Sequence, residues 1–213
     1  ENPMRIAIFS DIHGNLPALD ATLRDMAAQH PDRTYCLGDL VGYGASPNEV
    51  TVRVRESGFP TVMGNYDDGV GFDRADCGCA YKDASDREFG QRSLEWTKAA
   101  TTEENRTFLR SLQSEIRFDV AGVRVLLVHG SPRKLNEYLF EDRALSSFQR
   151  LAHSSNADVI VFGHTLLEAF DALGDISHDV GDLTAAAEQQ QRHCEENQPM
   201  PDAQATHRLL LSS

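Results

Sequence analysis

Six side chains able to ligate a metal, Asp11, His13, Asp39, Asn65, His129 and His164, each stand just past the end of a short apolar run. Ile6-Ala7-Ile8-Phe9 leads to Asp11 and His13, and Thr34-Tyr35-Cys36-Leu37 leads to Gly38-Asp39. Thr61-Val62-Met63 leads to Gly64-Asn65, Val123–Val128 to His129, and Val159–Phe162 to Gly163-His164. Carboxylate, imidazole and amide donors in one cluster suit borderline divalent metals: Mn, Fe, Zn, Co or Ni. A hard-cation site would be mostly oxygen, and a structural zinc site rich in thiolate. Asp39 has two oxygens and is able to bridge two ions, while Asn65 ligates without adding charge that would repel an anion. Two ions close together bring a bridging water to deprotonation near neutral pH and clamp phosphoryl oxygens during in-line displacement. The chemistry these residues predict is therefore hydrolysis of a phosphoester by metal-activated hydroxide.

Such a centre needs elements that deliver all six donors to one place. Short β-branched runs closed by glycine are expected as buried strands, and open α/β sheets collect ligands at the carboxyl ends of strands. After the first strand, Asn15-Leu16-Pro17 supplies a cap and an early-helix proline for a helix over 16–30. A strand at Thr34 completes a β-α-β unit. The glycine-rich stretch from Gly38 to Gly44 leads to a helix over 47–57 and a strand near Thr61. Residues 67–84 are rich in glycine and aspartate and are expected as a long loop or lid over the strand ends. Helices are expected over 86–99 and 103–112, with capping chemistry at Thr101-Thr102-Glu103-Glu104. A hairpin turning at Ala121-Gly122, a helix over 142–152 and a strand at Val159 follow. Alternating strands and helices with one hairpin predict an α/β sandwich with helices outside and sheets inside.

The 213 residues suffice for one substantial domain. There is no apolar run of membrane-spanning length, and no basic-then-apolar leader, with Met4 expected as the native start. Four unevenly spaced cysteines make no disulfide framework, so a cytoplasmic location is expected. Cys77-Gly78-Cys79 is read as a free loop pair, because no second Cys or His pair stands at zinc spacing. The formal net charge of −13 argues against nucleic acid and a nuclease activity, but not against a small phosphoester substrate, since bound metal reverses the local field. Residues 165–213 carry nine acids and two bases, hence −7 of that −13. They form an atypical acidic segment, set apart from a domain over 1–164; helix is conceivable at 185–192.

The quoted donors sit within Asp11-Ile12-His13, Gly38-Asp39-Leu40-Val41-Gly42, Gly64-Asn65-Tyr66-Asp67, Val128-His129-Gly130 and Gly163-His164-Thr165. In order and spacing this set resembles the calcineurin-like metallophosphoesterase superfamily, over about three quarters of the chain, and most of all its small bacterial phosphodiesterase-type members. The resemblance implies a four-layer αββα sandwich of mixed sheets and a binuclear phosphodiesterase or phosphatase activity, with manganese among the metals the donor set suits. It implies Asp11, His13 and Asp39 on one ion, with Asp39, Asn65, His129 and His164 on the other.

Two residues depart from the family pattern. Tyr66 stands where the family has a histidine acid beside Asn65. A phenol donates a hydrogen bond but is a poor acid at neutral pH, so esters with good leaving groups, aryl or nucleotide phosphodiesters, are expected. Asp67 is expected to orient Tyr66, which makes Asn65, Tyr66 and Asp67 the catalytic candidates. Leu166 replaces a second histidine, so the first ion is expected to be weak, absent, or completed by His178 and water. That departure sustains a rival reading, a non-catalytic metal-binding scaffold acting through partner contacts. Arg133 is read either as a bidentate phosphate contact or as a surface cation. His30, His153, His193 and His207 are assigned no role.

Overall fold

The structure is a computed structural model that describes residues 4–81, 83–140, 142–165, 167–170 and 206–211, the last two stretches as backbone only. In chain order the elements are β1 (Met4–Phe9), α1 (Leu16–Gln29), β2 (Arg33–Cys36), α2 (Pro47–Ser57) and α3 (Asn65–Gly71). Then come α4 (Ala84–Ala100), α5 (Glu103–Ser111), β3 (Glu115–Val120), β4 (Val123–Val128), α6 (Leu145–Ser155), β5 (Val159–Phe162), β6 (Leu167–Phe170) and β7 (Thr206–Leu211). The strands form two small sheets, ordered β2-β1-β7 and β3-β4-β5-β6.

Helix ends follow local chemistry. The Asn15 side chain accepts from the Ala18 N–H at 3.1 Å, and α1 stops where His30 turns left-handed. Thr102 caps α5 by accepting from Asn105, as its sequence suggests, and Gly58 ends α2 in the left-handed region. Ala121 and Gly122 both have positive φ, 51° and 81°, the geometry of a tight hairpin turn between β3 and β4.

Strand alternation sorts the core. Ile6 and Ile8 join Tyr35, Leu37, Val125, Leu127, Val159 and Val161 in an apolar cluster shared by both sheets. Ala7 and Phe9, pointing the other way, pack with Leu19, Val50, Val54, Leu94 and Leu109 from the helices. On the second sheet Leu126, Val128, Ile160 and Phe162 meet Phe148 and Leu151 of α6. Parallel pairing of β1 with β2, and of β4 with β5, brings four strand ends, with their donors, to the functional side.

Three expectations change. The run at Thr61 makes only isolated parallel bridges, Cys36 with Thr61 and Val62 with Gln113, because it is too short to extend a ladder. The expected loop over 67–84 instead begins inside α3, whose first turn carries Asp67 and Asp68 at the end where a helix favours negative charge. In the acidic segment, β6 pairs antiparallel with β5 and β7 antiparallel with β1, with Met4 opposite Leu211. The 185–192 helix and His178 lie outside the described residues.

Candidate metal centre

The turns that follow the strands are tight enough to force side-chain-bearing residues into left-handed backbone. Asp11, His13 and Asp39 have φ of 56°, 48° and 53°. Such geometry costs of order 1–3 kcal/mol per residue and concentrates at functional sites. Here it turns the side chains back over the strand ends. Gly64 approaches Asp39 so closely that a Cβ there would collide with the Asp39 carboxylate and backbone.

One ligand atom from each of Asp11, Asp39, His129 and His164 lies within 4.8 Å of the others. His13 joins them, its Nε2 being 3.7 Å from both Asp11 Oδ1 and Asp39 Oδ2. Asn65 Oδ1 is 3.0 Å from His129 Nε2. All six residues expected as ligands are therefore adjacent.

Their chemistry fits a cation. His129 Nδ1 lies 2.8 Å from the Leu37 carbonyl, which only accepts, so Nδ1 carries a proton. Around the other nitrogen stand Asn65 Oδ1 at 3.0 Å, His164 Nδ1 at 3.2 Å and Asp39 Oδ2 at 3.4 Å. The Asn65 amide donates to the Cys77 carbonyl and Cys79 Sγ at 3.2 and 3.4 Å, which leaves its oxygen aimed inward. A proton on His129 Nε2 serves one of these acceptors, whereas a divalent ion serves all of them. Asp11 Oδ2 and His164 Nε2 are buried without a hydrogen-bond partner, a cost the fold bears only where something else satisfies them.

The electrostatics agree. Burial alone would raise the Asp39 carboxyl, but His129 and His13 hold it down at about 2. Burial alone would lower His129, yet Asp39 and Asp11 push it up to about 10. Burial lowers His164 to about 4, with His129 adding to the effect, and burial raises Asp11. A protonated His129 thus sets positive charge among these carboxylates, as a bound cation would.

Asp67 does not orient Tyr66. Its carboxylate accepts from the backbone N–H of Asp39 (2.8 Å), Leu40 (2.9 Å) and Gly64 (2.9 Å), because these three donors point inward at the crossing of two tight turns. Burial and the Asp39 charge raise its carboxyl to about 7, against the pull of those N–H groups. Tyr66, only 1% exposed, packs edge-on to His13 with ring centroids 5.3 Å apart. Its hydroxyl lies 3.2 Å from that of Tyr81, and burial raises it far above an ordinary phenol. Arg133 is committed to Glu137, which also binds Arg143 and Ser131.

Several neighbours of the site escaped the sequence reading. Tyr138 lies over His164 with centroids 4.0 Å apart, and Tyr43 meets His13 at 4.9 Å. Only the flanking glycines of Gly42-Tyr43-Gly44 hinted at the second. Nothing local marked the Cys77 carbonyl and Cys79 thiol as holding Asn65.

Comparison with known proteins agrees with this geometry. The profile of the calcineurin-like phosphoesterase superfamily domain matches residues 4–193. The protein MJ0912 of Methanocaldococcus jannaschii is 36% identical over 164 residues, which cover 75% of this chain and 61% of that protein. A metallophosphoesterase from Sphaerobacter thermophilus is 31% identical with a TM-score of 0.57, over 77% of this chain and 61% of the other. The chain thus spans about three fifths of the length of these relatives. PH1004 from Pyrococcus horikoshii OT3 shares the fold at 20% identity and a TM-score of 0.63, over 75% of this chain and 68% of that one. With its donors gathered at the strand ends and a family match over most of its length, this chain belongs to the calcineurin-like phosphoesterase superfamily.

Proposed function

We propose that the protein hydrolyses phosphoesters, phosphodiesters in particular, at a binuclear divalent-metal centre held in a four-layer αββα sandwich. Asp11, His13 and Asp39 would hold one ion, and Asp39, Asn65, His129 and His164 the other. The observation that carries this reading is the convergence of Asn65 Oδ1, His164 Nδ1 and Asp39 Oδ2 within 3.4 Å of His129 Nε2, where a proton serves one neighbour and a divalent ion serves several. When bound, the metal pair supplies Lewis acidity for the phosphoryl oxygens and an acidified water as nucleophile.

The chain's own residues supply placement. Asp67 fixes the Asp39 turn through three N–H bonds, and the Cys77–Cys79 segment fixes Asn65. Val41 holds His13, its carbonyl lying 3.1 Å from Nδ1. Tyr66 packs beneath His13, and its hydroxyl is engaged with Tyr81, so it is a weak proton source for a departing alkoxide. That supports a preference for leaving groups that depart without protonation.

The scaffold reading keeps one support, Leu166 at the position of a family histidine. Turnover of bis-p-nitrophenyl phosphate with and without manganese separates the two. Manganese-dependent turnover that falls by at least about a hundredfold in Asp39→Asn, more than loss of an outer-shell contact costs, supports the hydrolase. A folded, metal-loaded protein with no turnover supports the scaffold.

A further inference from the structure

Two aromatic surfaces flank the centre, each standing against one of its outer imidazoles. On the His13 side is Tyr43, 53% exposed, with its ring 4.9 Å from His13 and 4.8 Å from Tyr66. Its backbone is left-handed at φ 51°, and its N–H donates to Ser93 Oγ at 3.0 Å. Gly42 permits the arrangement, because a Cβ there would run into the Tyr66 ring. A tyrosine held in a disfavoured conformation and about half exposed as a residue is poor use of an aromatic for packing alone. On the His164 side Tyr138 covers the imidazole and stacks on Phe140, with centroids 5.8 Å apart and planes 17° apart. Phe140 is 56% exposed, and the Tyr138 hydroxyl is tied to the Ala80 N–H at 3.4 Å.

The charges nearby do not favour a second phosphate. Arg133 and Arg143 both bind Glu137, and the chain is acidic overall. Against the outer imidazoles His13 and His164 the described neighbours are ring faces.

We infer that Tyr43 and the Tyr138–Phe140 pair select phosphoesters whose retained arm, the one left on phosphorus after hydrolysis, carries a nucleobase, which lies against one of these rings while the phosphoryl group sits among the metal ligands. The inference rests on the phosphoesterase reading and narrows its substrate class. Stacking of a base on an aromatic side chain amounts to roughly tenfold in affinity or more.

The test uses two esters with the same leaving group and different retained arms, thymidine p-nitrophenyl phosphate and methyl p-nitrophenyl phosphate. With manganese bound, kcat/KM for the thymidine ester should exceed that for the methyl ester by at least about tenfold. Tyr43→Leu or Phe140→Leu should cut that ratio several-fold. Calorimetry of thymidine monophosphate against inorganic phosphate should show the same preference in binding and the same loss in the variants. A ratio near one, or a ratio that neither variant moves, overturns the inference while leaving the hydrolase standing. Should neither ester turn over, the hydrolase reading fails, and the calorimetric comparison alone decides whether the rings recognise an aromatic arm.

Discussion

Asp39 and Asp67 hold each other's turn in place: Asp67 accepts from the Asp39 N–H at 2.8 Å, while Asp39 Oδ1 accepts from the N–H of Tyr66, the neighbour of Asp67, at 2.8 Å. The two carboxylates are 1% and 0% exposed. This reciprocal clasp joins the turn after β2 to the start of α3, so the bridging candidate and Asn65 are set as one unit. Asp67→Asn places an amide NH2 among three inward N–H donors and removes at least one bond. Urea unfolding should show a loss of about 2–3 kcal/mol, and metal titration a fall in affinity of about 10–100-fold. Unchanged metal affinity would show that the clasp does not govern the site.

Cys79 offers a finer test of the same idea. Because its sulfur and the Cys77 carbonyl take the two donors of Asn65, Cys79→Ala should free the amide to rotate. Metal affinity should fall by about tenfold, in the range of lost outer-shell contacts, and Cys79→Ser, which restores an acceptor, should recover most of it. Equal affinities for all three proteins would remove Cys79 from the site.

Gly64→Ala tests how closely the turns must approach. The added methyl meets the Asp39 carboxylate and backbone, which cannot give without moving a proposed ligand. The variant should lose metal binding and at least about 1–3 kcal/mol of stability, as overpacking does.

A pH test concerns the fold rather than the centre. Arg124 holds the Asp158 carboxyl down at about 2 through its side chain, with Nη2 to Oδ1 at 2.5 Å, and through its N–H at 2.8 Å. This ties the start of β4 to the turn before β5. A carboxyl lowered in the folded state stabilises above its ordinary value of 3.8 and loses that contribution as pH falls toward about 2. With both partners partly exposed, the gain is about 1 kcal/mol at most. The stability gap between wild type and Asp158→Asn, measured by urea unfolding, should stay constant above pH about 5 and close as the carboxyl is protonated.

Much of this was legible in the residues. Runs such as Ile6–Phe9 and Val159–Phe162 alternate or fill a buried strand, and the donor after each follows from chain direction. All six expected ligands came out adjacent because strand ends on one side of parallel pairs must be neighbours. Residue types could not say that Asp67 faces backbone donors, since hydrogen bonds between segments 28 positions apart leave no local mark. The Thr61 strand was overread for a related reason. Its three residues, Thr61, Val62 and Met63, carry strand character, but ladder length depends on partners distant in sequence. Tyr43 and Tyr138 were missed because an exposed tyrosine and a packed one look alike in a sequence.

The central claim is that these donors converge on a cation, and metal content by mass spectrometry tests it most directly. Protein reconstituted with manganese and then freed of excess metal should retain at least one equivalent in the wild type. Asp39→Asn and His129→Ala should retain much less while keeping wild-type circular dichroism. A wild-type protein that keeps no divalent metal, or variants that keep as much as the wild type, would contradict it.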